Sequence, residues 1–419
     1  MGVGSQSPTR LINTTLSILN SSHMIKILYF QHTTSIGGAS WSLFQLVQAL
    51  DRKIFHPIVA IPKQGALGRA FEDIGIEVVV DHRLKTFLDT SKARQLHYTN
   101  LLGLWNCFSA IRAARNICIA VKPDIVHINT SVMFHLALGA RKAAVAQIII
   151  HARENWDLHR SDPRNMFKNQ ILKSSVDAIV AISQEAGKCF APKLPQKIRI
   201  IHNWPDFAGR DGVANLRKEY GIAPTKKVIL CLSGRSSIKG ALNAIRAMEY
   251  VQDPNAILLL LGGKPDKHKI KIMIRKVFTF FHLRTYGLTV DLYAKKLKNK
   301  VVLAEWSLNV RSLMEQSMLV LCPFTQPHFS KAAIEAGALG KPVVISDDPY
   351  AREAVLDNET GILVPNGDTK ALASAIDKLL DDRSAADCIG QNAMRYIARQ
   401  FNRNDAIRNI QDMYMQLIA

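Results

Sequence analysis

Several features that identify common protein classes are absent from this sequence. No uninterrupted apolar run approaches the ~18 residues that cross a bilayer, since the densest run, 256–261, ends after six. The 6 cysteines include no CxxC pair and no histidine partner at metal-ligand spacing, so we expect reduced thiols, most of them packed in cores. Aromatic residues make up only 7% of the chain and no nucleic-acid-binding motif occurs, which argues against nucleic acid as a partner.

Acidic side chains are also few, because 34 Asp+Glu stand against 54 Lys+Arg and give a formal net charge of +20. The chain nevertheless has 48% hydrophobic and only 21% charged residues, a composition that excludes a mainly disordered protein. Its 419 residues are enough for two or three domains at ~100–200 residues each. We therefore expect a folded protein with more than one hydrophobic core.

Short apolar runs alternate with helical patterns along most of the chain. The runs form two series, and the segments between them mostly carry apolar residues at three- and four-residue spacing. Such alternation predicts a parallel sheet with helices on both faces, formed twice. The first series lies at 24–30, 56–61, 77–80, 124–128, 147–151, 177–182 and 198–202, and the second at 228–232, 256–262, 300–304, 318–323, 342–346 and 361–365.

A turn-rich segment between the two series marks a domain boundary. We predict the fold class α/β, with two doubly wound Rossmann-like domains facing a cleft. Ligands of such sheets bind outside the carboxyl ends of the strands, so we expect a site in that cleft. The predicted parts are a loose leader over 1–23, an N-terminal domain over 24–205, a linker over 206–224, a C-terminal domain over 225–400 and a terminal helix over 401–419.

Two candidate site features follow strands of the N-terminal domain. Gly37 and Gly38 come after the first strand, and glycines at the start of a helix let a ligand approach backbone N–H groups that attract anions. The alternative is a plain strand-to-helix turn. His151 ends the run 147–151, where an imidazole can donate or accept a proton. The alternative there is a histidine satisfied by nearby backbone.

A third candidate is the segment GRSSIKG at 234–240, directly after the first strand of the C-terminal domain. Arg235 and Lys239 place two positive charges in a loop that opens a helix, where a diphosphate could bind. The GK[ST] ending of a Walker A motif is absent. Two solvated surface cations are the alternative.

The most informative segment is PFTQPHFSKAAIEAGALGKPVV at 323–344, in which a strand ends in a loop and an Ala-rich helix follows. The backbone amides of Phe329, Ser330 and Lys331 would face an anion at the start of this helix. Glu335 lies about one turn inside it and could hold two neighbouring hydroxyls, as a ribose offers. A helix-surface glutamate in a salt bridge is the alternative.

In the order and spacing of these motifs, the sequence closely resembles glycosyltransferase family 4 over roughly residues 24–400. The resemblance implies a GT-B fold and retaining transfer of a sugar from a nucleoside-diphosphate sugar to a glycan or lipid-linked acceptor, as in surface polysaccharide synthesis. It rests on the GGA of the first loop, DIVHIN at 124–129, HAR at 151–153, IHNWPD at 201–206, GRSSIKG, the segment 323–344 and ETGILVPNGD at 359–368.

The resemblance also implies roles for individual residues. Gly37 and Gly38 match the family loop that approaches the donor diphosphate and the acceptor, and His151 matches the histidine beside the transferred sugar. Arg235 and Lys239 match the pair that neutralises the leaving diphosphate. Because two cations can supply this stabilisation and the sequence has no Asp-x-Asp pair, we expect no metal and no other cofactor.

One signature residue departs from the family pattern. Glu335 matches the second glutamate of the family's E-x7-E signature, which holds the donor ribose. The first glutamate of that signature falls at Pro327, which is followed by His328. The spacing from arginine to lysine in GRSSIKG is also one residue shorter than in the commonest family form. We therefore expect the contact to the donor sugar to differ from the family's, while the nucleotide site is retained.

Two alternative functions compete with sugar transfer. A nucleotide-sugar epimerase of the same fold would need several carboxylates and histidines for proton shuttling, and only Glu154 and Glu335 lie near the matched motifs. A non-catalytic relative is the second alternative, prompted by Pro327. Assays with a panel of nucleotide sugars separate these possibilities.

The segment 264–300 contains 11 Lys+Arg and 2 Asp, a local charge of +9. Within it, apolar residues from Ile270 to Phe281 recur at helical spacing with basic residues between them. Such a helix can lie on an anionic membrane surface, and we expect a cytoplasmic enzyme on the inner face of a membrane. The alternative is an apolar stripe that packs on the sheet of the second domain.

Overall fold

The computed structural model describes two compact units. Unit 1 consists of the described residues up to Ile201 together with Asn404–Ala419, and unit 2 of those within His202–Arg403. The described residues are 24–35, 37–87, 98–153, 163–190, 194–205, 207, 215–263, 286–307 and 309–419, with only the backbone described for 98–104 and 163–164.

Strands and helices alternate through unit 1. The strands are β1 (Ile25–Phe30), β2 (Phe55–Ile61), β3 (Glu77–Val80), β4 (Ile125–Ile128), β5 (Gln147–Ala152), β6 (Ala178–Ala181) and β7 (Ile198–Ile200). The helices are α1 (Gly38–Ala49), α2 (Ala66–Asp73), α3 (Tyr98–Val121), α4 (Leu136–Lys142), α5 (Pro163–Ser175) and α6 (Gln184–Lys188), with 3₁₀ turns at Ser131–Met133 and Pro195–Lys197.

Unit 2 repeats this alternation. Its strands are β8 (Lys227–Cys231), β9 (Ala256–Leu261), β10 (Val301–Ala304), β11 (Leu319–Cys322), β12 (Val343–Ser346) and β13 (Ile362–Val364). The helices from this point on are α7 (Leu216–Tyr220), α8 (Ala241–Ala247), α9 (Tyr286–Lys296), α10 (Val310–Glu315), α11 (Lys331–Ala338), α12 (Ala351–Ala354), α13 (Thr369–Asp381), α14 (Arg383–Gln400) and α15 (Arg403–Ile418).

Both sheets are parallel and doubly wound. In unit 1 the strand order is β3-β2-β1-β4-β5-β6-β7, so the chain extends from β1 to one side and then from β4 to the other. In unit 2 the order is β10-β9-β8-β11-β12-β13, with the same reversal between β8 and β11. These two reversals are topological switch points, next to which ligands of open α/β sheets bind.

The strands are continuous apolar runs because helices cover both faces of each sheet. All six residues of β9, AILLLL, are buried. Helix α13 shows the complementary pattern, since its buried residues recur at three- and four-residue spacing. It begins at Asp368, whose side chain accepts hydrogen bonds from the backbone N–H groups of Lys370 and Ala371. Each unit thus has its own core.

The predicted α/β fold class with two doubly wound Rossmann-like domains is confirmed, and every predicted strand run overlaps an observed strand. The terminal helix predicted over 401–419 corresponds to α15. The sequence did not predict that α15 groups with unit 1 rather than with the preceding residues of unit 2. All 6 cysteines are free, and Cys107, Cys118, Cys231 and Cys322 are buried, as expected. Among the described residues, no helix is both long and apolar enough to cross a membrane.

Candidate functional site

Most of the predicted site residues follow strands that flank the two switch points, and His151 lies at the end of β5, the neighbour of β4. In unit 1, the segment after β1 contains Gly37 and Gly38, and β5 ends beside His151. In unit 2, the segment after β8 contains Arg235 and Lys239, while the segment after β11 leads to helix α11. The carboxyl ends of the strands therefore carry the candidate residues within each unit.

No packing contact with the described residues requires a glycine at Gly37 or Gly38 in the first loop. Gly37 precedes helix α1 with an extended backbone (φ −163°) that any residue can adopt. A Cβ atom added at Gly37 or Gly38 would meet no atom within 4 Å. The Ser40 side chain fixes the turn, because its hydroxyl donates to the Ser35 carbonyl at 2.7 Å and accepts from the Gly37 N–H at 3.2 Å. The open space beside both glycines leaves room for a ligand near the backbone.

His151 lies in a buried polar cluster at the end of β5, with only 3% of its surface exposed. Its Nδ1 atom lies 3.3 Å from Nη2 of Arg153 and 3.3 Å from Nε2 of His127. Its Nε2 atom is buried and has no hydrogen-bond partner among the described residues. Burial, reinforced by the charge of Arg153, holds the pKa of His151 well below its ordinary value. The imidazole is therefore neutral at physiological pH.

Arg235 is held firmly within unit 2. One guanidinium nitrogen, Nη1, donates to the Gly263 carbonyl at 2.7 Å and to Oδ1 of Asp291 at 2.6 Å. The other, Nη2, donates to the Gly287 carbonyl. The sequence predicted a cation free to neutralise a diphosphate, whereas in the structure part of its charge is offset by Asp291. Neither Asp291 nor its contact was predicted.

Lys239 differs from Arg235 because it forms no ion pair with any residue that the structure describes. Its loop packs closely on the segment after β11. A Cβ atom at Gly240, where φ is +71°, would lie 1.6 Å from the Pro323 carbonyl oxygen, so only glycine fits there. The Thr325 N–H donates to the Ile238 carbonyl at 2.9 Å. These contacts bring the two predicted donor-binding loops of unit 2 together.

The segment 323–335 has the predicted loop-and-helix form. Ser330 precedes α11, and its hydroxyl accepts from the Ala333 N–H at 3.1 Å. Phe329 is buried beneath the loop with 6% exposure. Glu335 is only 4% exposed, and its Oε1 lies 3.8 Å from Nζ of Lys331. The glutamate is therefore not on the helix surface, although the ion pair foreseen as the alternative is present.

The residues beside the missing signature glutamate form a half-buried polar contact. The His328 N–H donates to Oδ2 of Asp348 at 3.4 Å, and its ring lies 4.8 Å from that of Phe324, measured between centroids. Burial and then the charge of Lys239 lower the pKa of His328 to about 4. The lysine is thus close enough to influence this imidazole. A neutral His328 adds no positive charge to the loop.

Three side chains that extend the His151 cluster into the core of unit 1 were not singled out from the sequence. His127 is fully buried in β4, Tyr29 lies in β1, and Tyr414 comes from the last helix, α15. A histidine inside an otherwise apolar strand is a signal that could have marked His127. No local pattern marks Tyr29 or Tyr414, because both fit an apolar core.

Some predictions fall on residues that the structure does not describe. They include the leader 1–23, Glu154, and much of the linker 206–224. Within the described ranges, no group of three or more His, Cys, Asp or Glu side chains lies in an arrangement that could hold a metal ion.

The basic segment 264–300 is described only from residue 286 onward, so the apolar stripe at 270–281 lies outside the described residues. The described part includes helix α9, in which Val290 and Ala294 are buried in the core of unit 2. The membrane contact and its alternative both concern that stripe, so the membrane contact stays a prediction.

Comparison with known families decides which class these features belong to. The family model of glycosyl transferases group 1 matches residues 213–396, and that of glycosyltransferase family 4 matches residues 36–208. The chain belongs to glycosyltransferase family 4. The predicted resemblance and the predicted enzyme class are therefore confirmed, while the roles of single residues stay predictions.

Individual glycosyltransferases resemble the chain over different lengths. N-acetyl-alpha-D-glucosaminyl L-malate synthase of Bacillus anthracis is 23% identical over 308 residues, which are 70% of this chain and 75% of that protein. The capsular polysaccharide biosynthesis glycosyltransferase CapM of Staphylococcus aureus is 34% identical over 92 residues, only 22% of this chain and 24% of that protein.

Solved structures share the fold of this glycosyltransferase. Anabaena HepE in complex with UDP and glucose matches with a TM-score of 0.74 and 20% identity, over 94% of this chain and 100% of that one. The likeness confirms the GT-B type.

Proposed function

We propose that this glycosyltransferase moves a sugar from a nucleoside-diphosphate sugar to a glycan or lipid-linked acceptor, with retention of the anomeric configuration. The observation that carries the proposal is the contact between the two loops of unit 2. Lys239, without an ion pair among the described residues, lies in a loop packed on the segment that leads to the buried Glu335. A cation in one loop and a carboxylate on the helix that follows the adjoining loop match the diphosphate and the ribose of one nucleotide.

The nucleotide half of the donor binds in unit 2. Backbone N–H groups at Phe329, Ser330 and Lys331 face the diphosphate at the start of α11, where the helix dipole favours an anion. The Glu335 carboxylate accepts hydrogen bonds from the two ribose hydroxyls. These interactions are the same before and during the reaction, so they contribute to binding rather than to rate.

The chemical step needs a group that stabilises the negative charge growing on the departing diphosphate. Lys239 supplies it, because a fixed cation in a site with little water acts more strongly as that charge develops. Arg235, already held by Asp291, contributes a second and partly offset charge. The acceptor hydroxyl transfers its proton to the departing phosphate on the same face of the sugar. His151 serves as a neutral hydrogen-bonding group rather than as a base.

We propose a UDP-linked hexose as the donor and a surface polysaccharide or its lipid-linked precursor as the acceptor. The complex of HepE with UDP and glucose supports the donor. The capsular role in the name of CapM supports the acceptor class. A lipid-linked acceptor agrees with the basic segment 264–300, which we propose as a contact with an anionic membrane surface at the cytoplasmic face.

A donor panel tests this function. The purified protein is incubated with UDP-glucose, UDP-N-acetylglucosamine, GDP-mannose and ADP-glucose, and release of nucleoside diphosphate is measured with and without EDTA. We expect release from at least one UDP-sugar, equally fast in EDTA, and none from the Lys239→Ala variant. Conversion of the intact nucleotide sugar to its epimer would instead establish the epimerase alternative.

A further inference from the structure

A chain of hydrogen bonds crosses the core of unit 1 and ends at His151. The hydroxyls of Tyr29 and Tyr414 lie 2.9 Å apart. The Tyr414 hydroxyl is 2.6 Å from Nδ1 of His127, and Nε2 of His127 is 3.3 Å from Nδ1 of His151. Arg153 completes the chain, with Nη2 at 3.3 Å from the same Nδ1. All four aromatic side chains are at most 3% exposed.

Arg153 determines which atoms donate and which accept along this series of hydrogen bonds. A guanidinium group only donates hydrogen bonds and stays protonated in proteins. Its orientation is fixed, because its Nε donates to the backbone carbonyl and the side-chain oxygen of Asn129, both at 3.1 Å. Nδ1 of His151 must therefore be the acceptor. A neutral imidazole carries one proton, so that of His151 resides on Nε2.

The same reasoning assigns the donors and acceptors of the remaining hydrogen bonds, from His151 to Tyr29. Since Nδ1 of His151 accepts, Nε2 of His127 carries a proton and donates it. Nδ1 of His127 is then unprotonated and accepts from the Tyr414 hydroxyl, which in turn accepts from Tyr29. Burial lowers the pKa of His127 to about 3 and raises the pKa of both tyrosines, so each group keeps the single proton that this arrangement needs.

The series of hydrogen bonds ends at the Nε2–H group of His151, which is buried and has no acceptor among the described residues. A buried N–H group without an acceptor costs free energy until a ligand accepts its hydrogen bond. We infer that Tyr414 is a positioning residue of the active site, which acts through His127 to hold His151 as the Nε2–H tautomer that donates to an oxygen of the substrate. The identity of that substrate as a sugar rests on the proposed function.

The tautomers can be measured without any substrate. Imidazole nitrogen chemical shifts of histidine-labelled protein distinguish protonated from unprotonated nitrogens, and loss of single signals in His127→Gln and His151→Gln assigns them among the 13 histidines. We expect Nε2–H at both positions in the wild-type protein. A wild-type His151 protonated on Nδ1 would overturn the inference, whether or not the protein transfers a sugar.

Two matched variants test the role of Tyr414. In Tyr414→Phe, His127 loses its donor, so we expect both tautomers of His151 to become populated and kcat/KM with UDP-glucose, or with the donor that the panel identifies, to fall about threefold to tenfold. Tyr29→Phe also removes one buried hydroxyl but leaves the bond from Tyr414 to His127, so we expect the wild-type tautomer and less than a twofold change. Equal effects of the two variants on the tautomer would contradict the inference. If no donor is turned over, the proposed function fails, while the chemical shifts still decide the role of Tyr414.

Discussion

The hydroxyl of Tyr414 lies 2.6 Å from Nδ1 of His127, although 287 residues separate the two in the sequence. His127 lies in β4, next to the strand that carries His151. Through this contact, the last helix of the chain supports the histidine of the candidate site. The same helix buries Ile407, Ile410 and Met413, and its residues from Asn404 onward group with unit 1.

The loop cation of unit 2 is the first residue to test. We expect Lys239→Ala to lower kcat by ~10²–10³, because it removes a charge that acts mainly on the transition state. Its melting temperature should remain that of the wild type, since Lys239 has no ion pair among the described residues. Lys378→Ala, at an exposed lysine of the same unit, is the control and should keep full activity. A kcat of Lys239→Ala within threefold of the wild-type value would remove Lys239 from the mechanism.

Substitution of Glu335, the buried glutamate of α11, should weaken UDP binding more than it lowers kcat. We expect Glu335→Gln to weaken UDP binding about tenfold or more, because hydrogen bonds to a charged group contribute more than those to a neutral one, with a smaller change in kcat. Calorimetric titration with UDP measures the dissociation constant. The control is Glu359→Gln, at an exposed position of unit 2. If the affinity of Glu335→Gln for UDP is unchanged, Glu335 does not hold the nucleotide.

Substitution of Gly38 by alanine should lower activity without lowering stability. Its added Cβ would meet no atom within 4 Å, and alanine is favoured over glycine in a helix by up to about 1 kcal/mol. We therefore expect Gly38→Ala to be as stable as the wild type or more so, with kcat/KM at least about tenfold lower because the methyl group occupies the space of the ligand.

The control for this glycine is Gly65→Ala at the start of α2. There the added Cβ would lie 2.7 Å from Cβ of Thr34, so stability should fall. Thermal unfolding and donor turnover are measured on both variants. Full activity of Gly38→Ala would show that no ligand approaches this turn.

Acid should destabilise the protein through two buried histidines, His127 and His135, and the half-buried His328. Burial lowers the pKa of His127 to about 3 and of His135 and His328 to about 4. Above pH ~6.5 neither the folded nor the unfolded state binds a proton at these groups. Below it, only the unfolded state does, so the free energy of unfolding falls by about 1.4 kcal/mol per pH unit for each histidine until the folded-state pKa is reached.

Urea denaturation at about pH 7.5 and about pH 5.5 measures this dependence. His135→Gln should reduce the slope by the contribution of one histidine. A protein equally stable at both pH values would show that these imidazoles are accessible to protons in the folded state.

Local sequence patterns predicted the fold because parallel strands covered on both faces are continuous apolar runs, as β9 is. They also predicted the loops of the site, because glycines and basic residues directly follow β1 and β8. The partners of those residues were not predictable. Asp291, which holds Arg235, lies on a helix 56 residues later, and no spacing rule connects them. The contact from Tyr414 to His127 depends on the return of the last helix to unit 1, which no local pattern encodes.

The central claim is sugar transfer from a nucleoside-diphosphate donor, and proton NMR of the anomeric signals during a reaction tests it most directly. The wild-type protein and the Lys239→Ala variant are each followed with the best donor of the panel and a glycan acceptor. We predict that the donor signal disappears as nucleoside diphosphate and an α-linked product from an α-linked donor appear in equal amounts, and that the variant leaves the donor intact. An unchanged donor with every nucleotide sugar, or a new nucleotide sugar formed without release of diphosphate, would contradict the account.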